Sequence, residues 1–549
     1  MNFGENLTRK DGFDLLWNMA LFNLKQQQDK VILDFVGANV AKKLHAGHMR
    51  NLNIGESLRR ILKLKYPNLI TDNHWGDWGV NMGILLWGWK ETGNFDNYQQ
   101  NPIEELTRVY VWANEQEKIV PNWDLLVREE FLKLEQKDVD NYKLWQEFII
   151  KTKQDLEQDL ELMKVTPLDL DQGESFYEQD MQKLTAFLEK YNLWQKDGRA
   201  RFFDFENLSQ VWTNIDNEFR NKISNLGRCY LISSNGYTSY CYRDVAARWQ
   251  WARDHKAELM ISITDKTQQH NFDQAFVIIS YLASLPEFQV LNTPETIARL
   301  EFKNLVHVGY GFLTLKDGKM STRKGNVLTL KSLFEEVCAV AIQNLQQKSS
   351  DLENVEQEFR AKKIALAALK WYDLNRSASE NLVLNIPEIL NFVGNTGVYQ
   401  LYTFARIKNI LKKCQAENSQ ILEIENNSLN NDFDSNFDGN SKKTNPENND
   451  KINFTADFNL LNAEEKIILK KLYLTDFVLE KICQNFKPHL LCTHLYELCT
   501  LINAWYGNNS VSGETDPIRQ QTLLVLCTKI TIYLRESLNL LGIEVLDDL

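Results

Sequence analysis

Runs of apolar residues punctuate this chain at lengths that suit strands in its first two thirds and helices in its last third. The segment Val31-Ile32-Leu33-Asp34-Phe35-Val36 is β-branched, apolar and too short for a helix, which predicts a buried strand. It leads through Gly37-Ala38-Asn39 into a loop ending at Gly47, after which Leu52, Leu58, Ile61 and Leu62 recur at helical spacing up to Lys65. Strand, glycine-containing turn and helix in that order open a nucleotide-binding α/β unit, in which a helix N-terminus faces phosphate. Further strands are predicted at 69–71, 259–263 and 304–308.

Between these strands, residues from about 100 to 225 are charged and helix-patterned, and read as an insertion within the α/β domain. Residues 1–30 carry Phe13, Leu15, Leu16, Met19, Leu21 and Phe22 in the pattern of one amphipathic helix. The α/β domain is expected over 31–345 and an all-α domain over 346–549, with its clearest helices at 361–372 and 522–541. An Asn/Asp/Ser/Glu-rich tract at about 415–453 has too few apolar residues to bury and is expected to be a disordered loop.

Composition narrows the function classes. With 549 residues, 43% hydrophobic and 25% charged, the chain is an ordinary globular protein too long for one core. No apolar stretch approaches the roughly 18 residues that span a bilayer, and the polar start lacks the apolar run of a secretory signal. Eight cysteines occur without any Cys-x-x-Cys pair, which argues against zinc ribbons and disulfide scaffolds and suits the cytoplasm. The net charge of −12 weighs against a nucleic-acid partner, but a large enzyme can be acidic overall and basic on one face.

Two motifs carry chemistry. In His45-Ala46-Gly47-His48, at the start of a predicted helix, both imidazoles can donate to charge developing on a phosphate that Gly47 lets approach. Composition alone yields roughly 0.005 such His-x-Gly-His matches in this chain. Far downstream, Gly318-Lys319-Met320-Ser321-Thr322-Arg323-Lys324-Gly325 places three cations between glycines, a mobile clamp suited to a departing pyrophosphate.

Together they resemble the His-Ile-Gly-His and Lys-Met-Ser-Lys-Ser signatures of class I aminoacyl-tRNA synthetases, in the right order and separation. Thr322 stands where that family keeps its second lysine, and which neighbouring cation, Arg323 or Lys324, serves in its place stays open. The resemblance narrows to the arginyl type at Asn39-Val40-Ala41-Lys42-Lys43-Leu44-His45, at Asn73-His74-Trp75-Gly76-Asp77-Trp78-Gly79 and at Asp171-Gln172-Gly173-Glu174-Ser175-Phe176-Tyr177. It continues at Gly394-Asn395-Thr396-Gly397-Val398-Tyr399, at Tyr402-Thr403-Phe404-Ala405-Arg406-Ile407 and in the last residues, Leu540-Leu541-Gly542-Ile543-Glu544.

The resemblance implies a Rossmann-type catalytic domain followed by a helical anticodon-binding domain, and ligation of arginine to tRNA(Arg) with ATP and Mg²⁺. It makes His45, His48, Lys319, Arg323 and Lys324 catalytic, and adds Lys42, Gly47, Met320 and Ser321 to the ATP site. A guanidinium is a planar fork of donors that a buried site answers with carboxylates and amide oxygens. The arginine-binding set implied is Asp34, Asn39, Trp75, Tyr240, Asp244 and Gln268, with Tyr240 and Asp244 one helical turn apart. The family has Glu at position 34, Ser-Pro at 37–38 and His-Phe where this chain has Asn271-Phe272, so His270 is displaced by one. Trp87 is expected in the core and Trp75 as a wall of the ATP/arginine cleft. Tyr399, Tyr402, Arg406, Lys408 and Lys412, with Lys413, form a basic aromatic stripe suited to phosphate and unpaired anticodon bases.

The family's separate N-terminal domain, which touches the tRNA elbow, has no room before a strand at residue 31, so reduced reliance on the elbow is expected. A monomer without bound zinc is expected as well. Other readings remain: a synthetase for glutamate or cysteine, a nucleotidylyltransferase, or a non-catalytic relative. The first two want cations or a zinc-binding cysteine set that the chain lacks, and a nucleotidylyltransferase has no use for the helical C-terminal half. Intact His45, His48, Lys319 and Asp244 oppose the last.

Overall fold

The computed structural model describes residues 21–315, 328–348, 353–415 and 457–547. The basic loop, most of the Asn-rich tract and residues 1–20 lie outside these, including most of the amphipathic N-terminal pattern. Residues 21–30 contain no helix. The described residues fall into two compact units, one of Gln26–Glu335 with Ser377–Leu384, the other of Glu336–Arg376 and Asn385–Leu549 with residues up to Lys25. The division therefore falls inside the helix Leu330–Lys348, about ten residues before the expected boundary. It also returns the short strand Leu382–Leu384 to the first unit, paired in parallel with Leu313–Leu315.

The first unit is built on a four-stranded parallel sheet, β1 (Val31–Asp34), β2 (Ile70–Asp72), β3 (Leu259–Asp265) and β4 (Leu305–Tyr310), in the order β2-β1-β3-β4. Val31, Ile32 and Leu33 are completely buried, each contributing about 1.5–3 kcal/mol. All-parallel strands covered on both faces need such continuous apolar runs. The register sets Asp72, Asp34, Ser262 and His307 side by side across the four strands. A row of polar side chains thus crosses the sheet toward its carboxyl ends, where α/β proteins bind ligands.

Helix α1 (His48–Lys65) follows β1 and is unusually polar on its buried face. Arg50 is fully buried, and its Nη1 donates to the carbonyls of Gly311 at 2.7 Å and Glu380 at 2.6 Å. Asn51 accepts the Val36 N–H at 2.5 Å and donates to the Ile263 carbonyl at 2.7 Å, tying the exit of β1 to β3. The insertion, which helix α2 (Val80–Thr92) precedes, contains α3 (Pro102–Glu115) and α4 (Val139–Leu162). It also holds a three-stranded antiparallel sheet, Gln195–Asp197, Ala200–Asp204 and Arg228–Ile232, which the helical pattern had hidden. Helices α5 (Tyr240–Gln250) and α6 (Gln269–Ser284) flank β3 in sequence.

In the second unit, described residues form long helices, among them α7 (Gly397–Gln415), α8 (His489–Asn508) and Pro517–Leu540. No helix among the described residues is long and apolar enough to cross a membrane. All eight cysteines are buried and none forms a disulfide.

Candidate active site

Two imidazoles stand at the start of α1, their ring centroids 3.9 Å apart. His45 Nδ1 accepts the Gly47 N–H at 3.1 Å, and His48 Nδ1 accepts the His45 N–H at 3.0 Å. With each Nδ1 an acceptor, the proton of each neutral ring sits on Nε2, leaving two Nε2–H groups as outward donors. Burial, and then the charge of Lys42, pulls His45 below its ordinary value; burial, with His45 next, holds His48 down to about 3. Gly47 has helical backbone angles (φ −63°, ψ −31°), and a Cβ there would lie 2.8 Å from the His45 ring. Its missing side chain makes room for that imidazole, a reason the sequence had not suggested.

The loop before the histidines is held in an unfavourable conformation. Val36, Gly37 and Ala41 all have positive φ, 82°, 56° and 67°, which costs a side-chain-bearing residue about 1–2 kcal/mol. The insertion supplies the restraint: Ala41 N–H donates to Thr152 Oγ1 at 3.1 Å, and Ala41 C=O accepts from Thr107 Oγ1 at 2.9 Å. Ala46 N–H donates to the Leu328 carbonyl at 2.9 Å, and Leu330 N–H to that of Leu44 at 3.0 Å. The chain emerging from the basic loop is thereby stitched beside the histidines. Lys319, Met320, Ser321, Thr322, Arg323 and Lys324 themselves lie outside the described residues.

Beyond this loop, buried charge collects. Asp34, Asp72, Asp77, Glu174 and Asp244 are buried carboxylates, and the guanidinium groups of Arg243 and Arg248, also buried, act on Asp34, Glu174 and Asp244. Asp244 accepts from Arg248 Nη1 at 2.9 Å on one oxygen and from Asn271 Nδ2 at 3.0 Å on the other. Arg248 Nη2 also donates to Ser262 Oγ at 2.5 Å, and its guanidinium lies 4.7 Å from the Trp251 ring centroid. Arg243 lies 3.4 Å from Glu174 and stacks over Tyr240 at 5.4 Å. The surplus of anions shows in the titration. Burial outweighs Arg248 and lifts Asp34 to about 6; burial and the neighbouring Asp34 lift Asp72 to about 7. Burial outweighs Arg243 and lifts Glu174 to about 8, and burial raises Asp244 as well. Such a set lacks positive charge, which a guanidinium ligand would bring.

Three glycines explain why the tryptophan-glycine block has its spacing. A Cβ at Gly76 would lie 2.1 Å from Asn39 Oδ1, and one at Gly79 (φ 84°) would lie 2.6 Å from Arg243 Nη2. A Cβ at Gly173 would lie 2.6 Å from the Asp77 carboxylate, which accepts the Ser175 N–H at 2.9 Å and Oγ at 2.6 Å. Glu174 N–H donates to the Trp75 carbonyl at 2.9 Å. Each glycine thus admits one polar side chain, and at Gly173 that side chain, Asp77, holds 73–79 against 171–177.

Asp34 ends β1, Asn39 follows it and pairs with Gly76, and Asp244 is linked through Arg248 to Ser262 of β3. Tyr240, exposed, starts the helix that carries Asp244; Trp75 is buried, with Lys153 5.4 Å from its ring centroid. Gln268 is exposed at the N-cap of α6, and His270 is exposed beside it. Lys42 is exposed, its Nζ 4.7 Å from the Tyr110 ring centroid. Trp78 packs on Phe131 and Trp145, and Trp87 stacks on Trp112, both in the core. On α7, Arg406 lies 4.2 Å from the Tyr402 centroid and donates to Asn503 Oδ1 of α8 at 3.1 Å; Tyr399 meets Tyr496 edge-on. That stripe is partly used in packing helices. Lys408 and Lys412 are half-buried on the same helix. Sequence reasoning missed Asp72, Arg248 and Ser262. Asp72 ends its strand as Asp34 ends β1, and that parallel was the available signal.

Residues 14–386 match the family model described as tRNA synthetases class I (R), catalytic domain, and residues 400–549 match the DALR anticodon binding domain. A crystal structure of arginyl-tRNA synthetase from Plasmodium falciparum superposes with a TM-score of 0.72 at 22% identity, covering 99% of this chain and 83% of that one. That from Thermus thermophilus gives 0.70 at 18%, covering 99% and 86%. Parallel sheet, paired histidines and helical second unit are those of a class I aminoacyl-tRNA synthetase. Among curated proteins, arginine–tRNA ligases of Fusobacterium nucleatum and Clostridium perfringens are each 28% identical, covering 96% and 94% of this chain and 81% and 80% of theirs. The chain belongs to the arginyl branch of that class, the arginine–tRNA ligases.

Proposed function

We propose a residue-level account of arginine–tRNA ligation in this chain, carried by one observation: a buried carboxylate surplus beside two neutral imidazole donors. Asp244, Glu174 and Asp34 supply the negative field for the arginine guanidinium and α-amino group. Tyr240 and Asn39 border them, and Trp75 backs the cleft. The burial of Asp244 and its bond to Arg248 support a role in fixing the charge of the pocket as much as in touching the ligand. Exposed Gln268 is the outermost member of the set.

The arginine carboxylate attacks the α-phosphate of ATP, giving arginyl-adenylate and pyrophosphate. His45 and His48 donate their Nε2–H groups to oxygens that gain charge in the transition state, without a proton changing hands. Lys319, with Arg323 or Lys324, neutralises the departing pyrophosphate, and Lys42, Gly47, Met320 and Ser321 complete the nucleotide site. The 2′-hydroxyl of the tRNA's terminal adenosine then attacks the arginyl carbonyl, forming the ester and releasing AMP and a proton. Positioning and electrostatics carry the rate. Mg²⁺ enters with ATP as part of that substrate. Tyr399, Tyr402, Arg406, Lys408 and Lys412 engage the anticodon arm, and the enzyme works as a cytoplasmic monomer.

Pyrophosphate exchange with each amino acid, with and without tRNA(Arg), tests the account. Exchange with arginine alone is expected; equal exchange with a neutral isostere such as citrulline would overturn the charge-based pocket.

A further inference from the structure

The Tyr240 hydroxyl is held by α2 and, through it, by the insertion. Asn81, in the first turn of α2, donates from Nδ2 to the Tyr240 phenolic oxygen at 2.9 Å. Its Oδ1 accepts the Tyr110 hydroxyl at 3.0 Å. The ring of Tyr110 in turn carries Lys42 Nζ at 4.7 Å from its centroid. One turn earlier on α3, Thr107 holds the carbonyl of strained Ala41, one residue before Lys42. Thr107 and Tyr110 are three residues apart, so both project from one face of α3.

That face is mounted rigidly. α3 packs on α2 through Gly88, where a Cβ would lie 2.7 Å from Ala113 Cβ and 3.1 Å from Val109 Cγ1. α2 also packs on Trp123–Glu135 through Gly83, where a Cβ would meet the Val127 carbonyl at 2.5 Å. Close-packed helices of this kind leave side chains such as Tyr110 little freedom to wander.

We propose that Thr107 and Tyr110 are positioning residues through which a single face of α3 sets both halves of the site, Thr107 the nucleotide loop and Tyr110, by way of Asn81, the arginine-facing Tyr240. The second half rests on Tyr240 contacting arginine. The insertion is then part of the catalytic apparatus, and the two substrates are registered against one rigid body.

Steady-state aminoacylation of the full-length enzyme at saturating tRNA, read as separate KM values, tests this. Tyr110→Phe removes only the hydroxyl; it should raise the arginine KM about five- to twentyfold and leave the ATP KM within twofold. Thr107→Val should do the reverse, raising the ATP KM, and Thr107→Ser should restore it. Asn81→Ala should match Tyr110→Phe, and the double variant should be no worse than either single one, because both break the same link. Equal changes in both KM values, or a fall in melting temperature with no KM change, would overturn the proposal. Tyr240→Ala separates the premises: an unchanged arginine KM there refutes contact with Tyr240, whereas a raised one with Tyr110→Phe silent refutes the relay alone.

Discussion

The acid pocket of the first unit and the basic stripe on α7 of the second both consist of charged groups with aromatic neighbours, yet they are held in different ways. In the pocket, Asp244 is buried and both of its oxygens are engaged, because an ion removed from water must find partners inside the protein. On α7, Arg406 lies half-buried across Tyr402 and Tyr506 and needs one hydrogen bond, to Asn503. Water can supply whatever the protein does not. Asp244 is therefore intolerant of change, and the stripe is adjustable, as suits a partner that makes many weak contacts.

The contrast can be broken most forcefully at its buried end. Asp244→Asn leaves Arg248 without its carboxylate, which should cost about 3–5 kcal/mol in denaturant melts and abolish measurable arginine activation. His48→Asn should lower kcat about a hundredfold or more with the arginine KM little changed, measured by pyrophosphate exchange; a change confined to KM would remove the histidine from the transition state.

Acidity offers a middle-sized test. Asp34, Asp72 and Glu174 are raised to about 6, 7 and 8, so the folded protein holds protons that the unfolded chain releases. Their contribution to stability is fully present below pH about 4 and is lost as pH rises through 6 to 8. Arginine reverses the balance by favouring the ionised carboxylates, so binding should expel protons and the arginine KM should climb severalfold between pH 8 and pH 6. Calorimetry in buffers of different ionisation enthalpy reads the protons directly. The smallest effect belongs to the stripe: Lys412→Ala should raise the tRNA KM only about threefold and reduce its logarithmic salt slope by about one, with melting temperature unchanged.

Much of this was legible in residue patterns. The four parallel strands declared themselves as apolar runs because both faces of such a sheet are buried, and Tyr240 and Asp244 proved to share a helix as their spacing required. The antiparallel strands Gln195–Asp197 and Ala200–Asp204 were invisible because both are short and the first is wholly polar, Gln-Lys-Asp, while the second, Ala-Arg-Phe-Phe-Asp, does not alternate. Arg248 looked like any helical arginine, and only the register that sets Ser262 beside Asp34 reveals it as an internal counter-ion. Thr107 and Tyr110 carried no signal at all, since their partners, Ala41 and Asn81, lie more than 25 residues away in sequence.

The buried guanidinium of Arg50 has a consequence in time. It sits two residues past His48, yet one of the carbonyls that receive it belongs to Glu380, 330 positions later in the chain. At about 5–20 residues per second, a ribosome needs on the order of 20–60 s to make that stretch. Throughout this interval the nascent N-terminal helix carries a cation without its final acceptor. The helix that begins at the paired histidines, although made early, gains both of its long-range anchors, the carbonyls of Gly311 and Glu380, only after more than half of the chain exists.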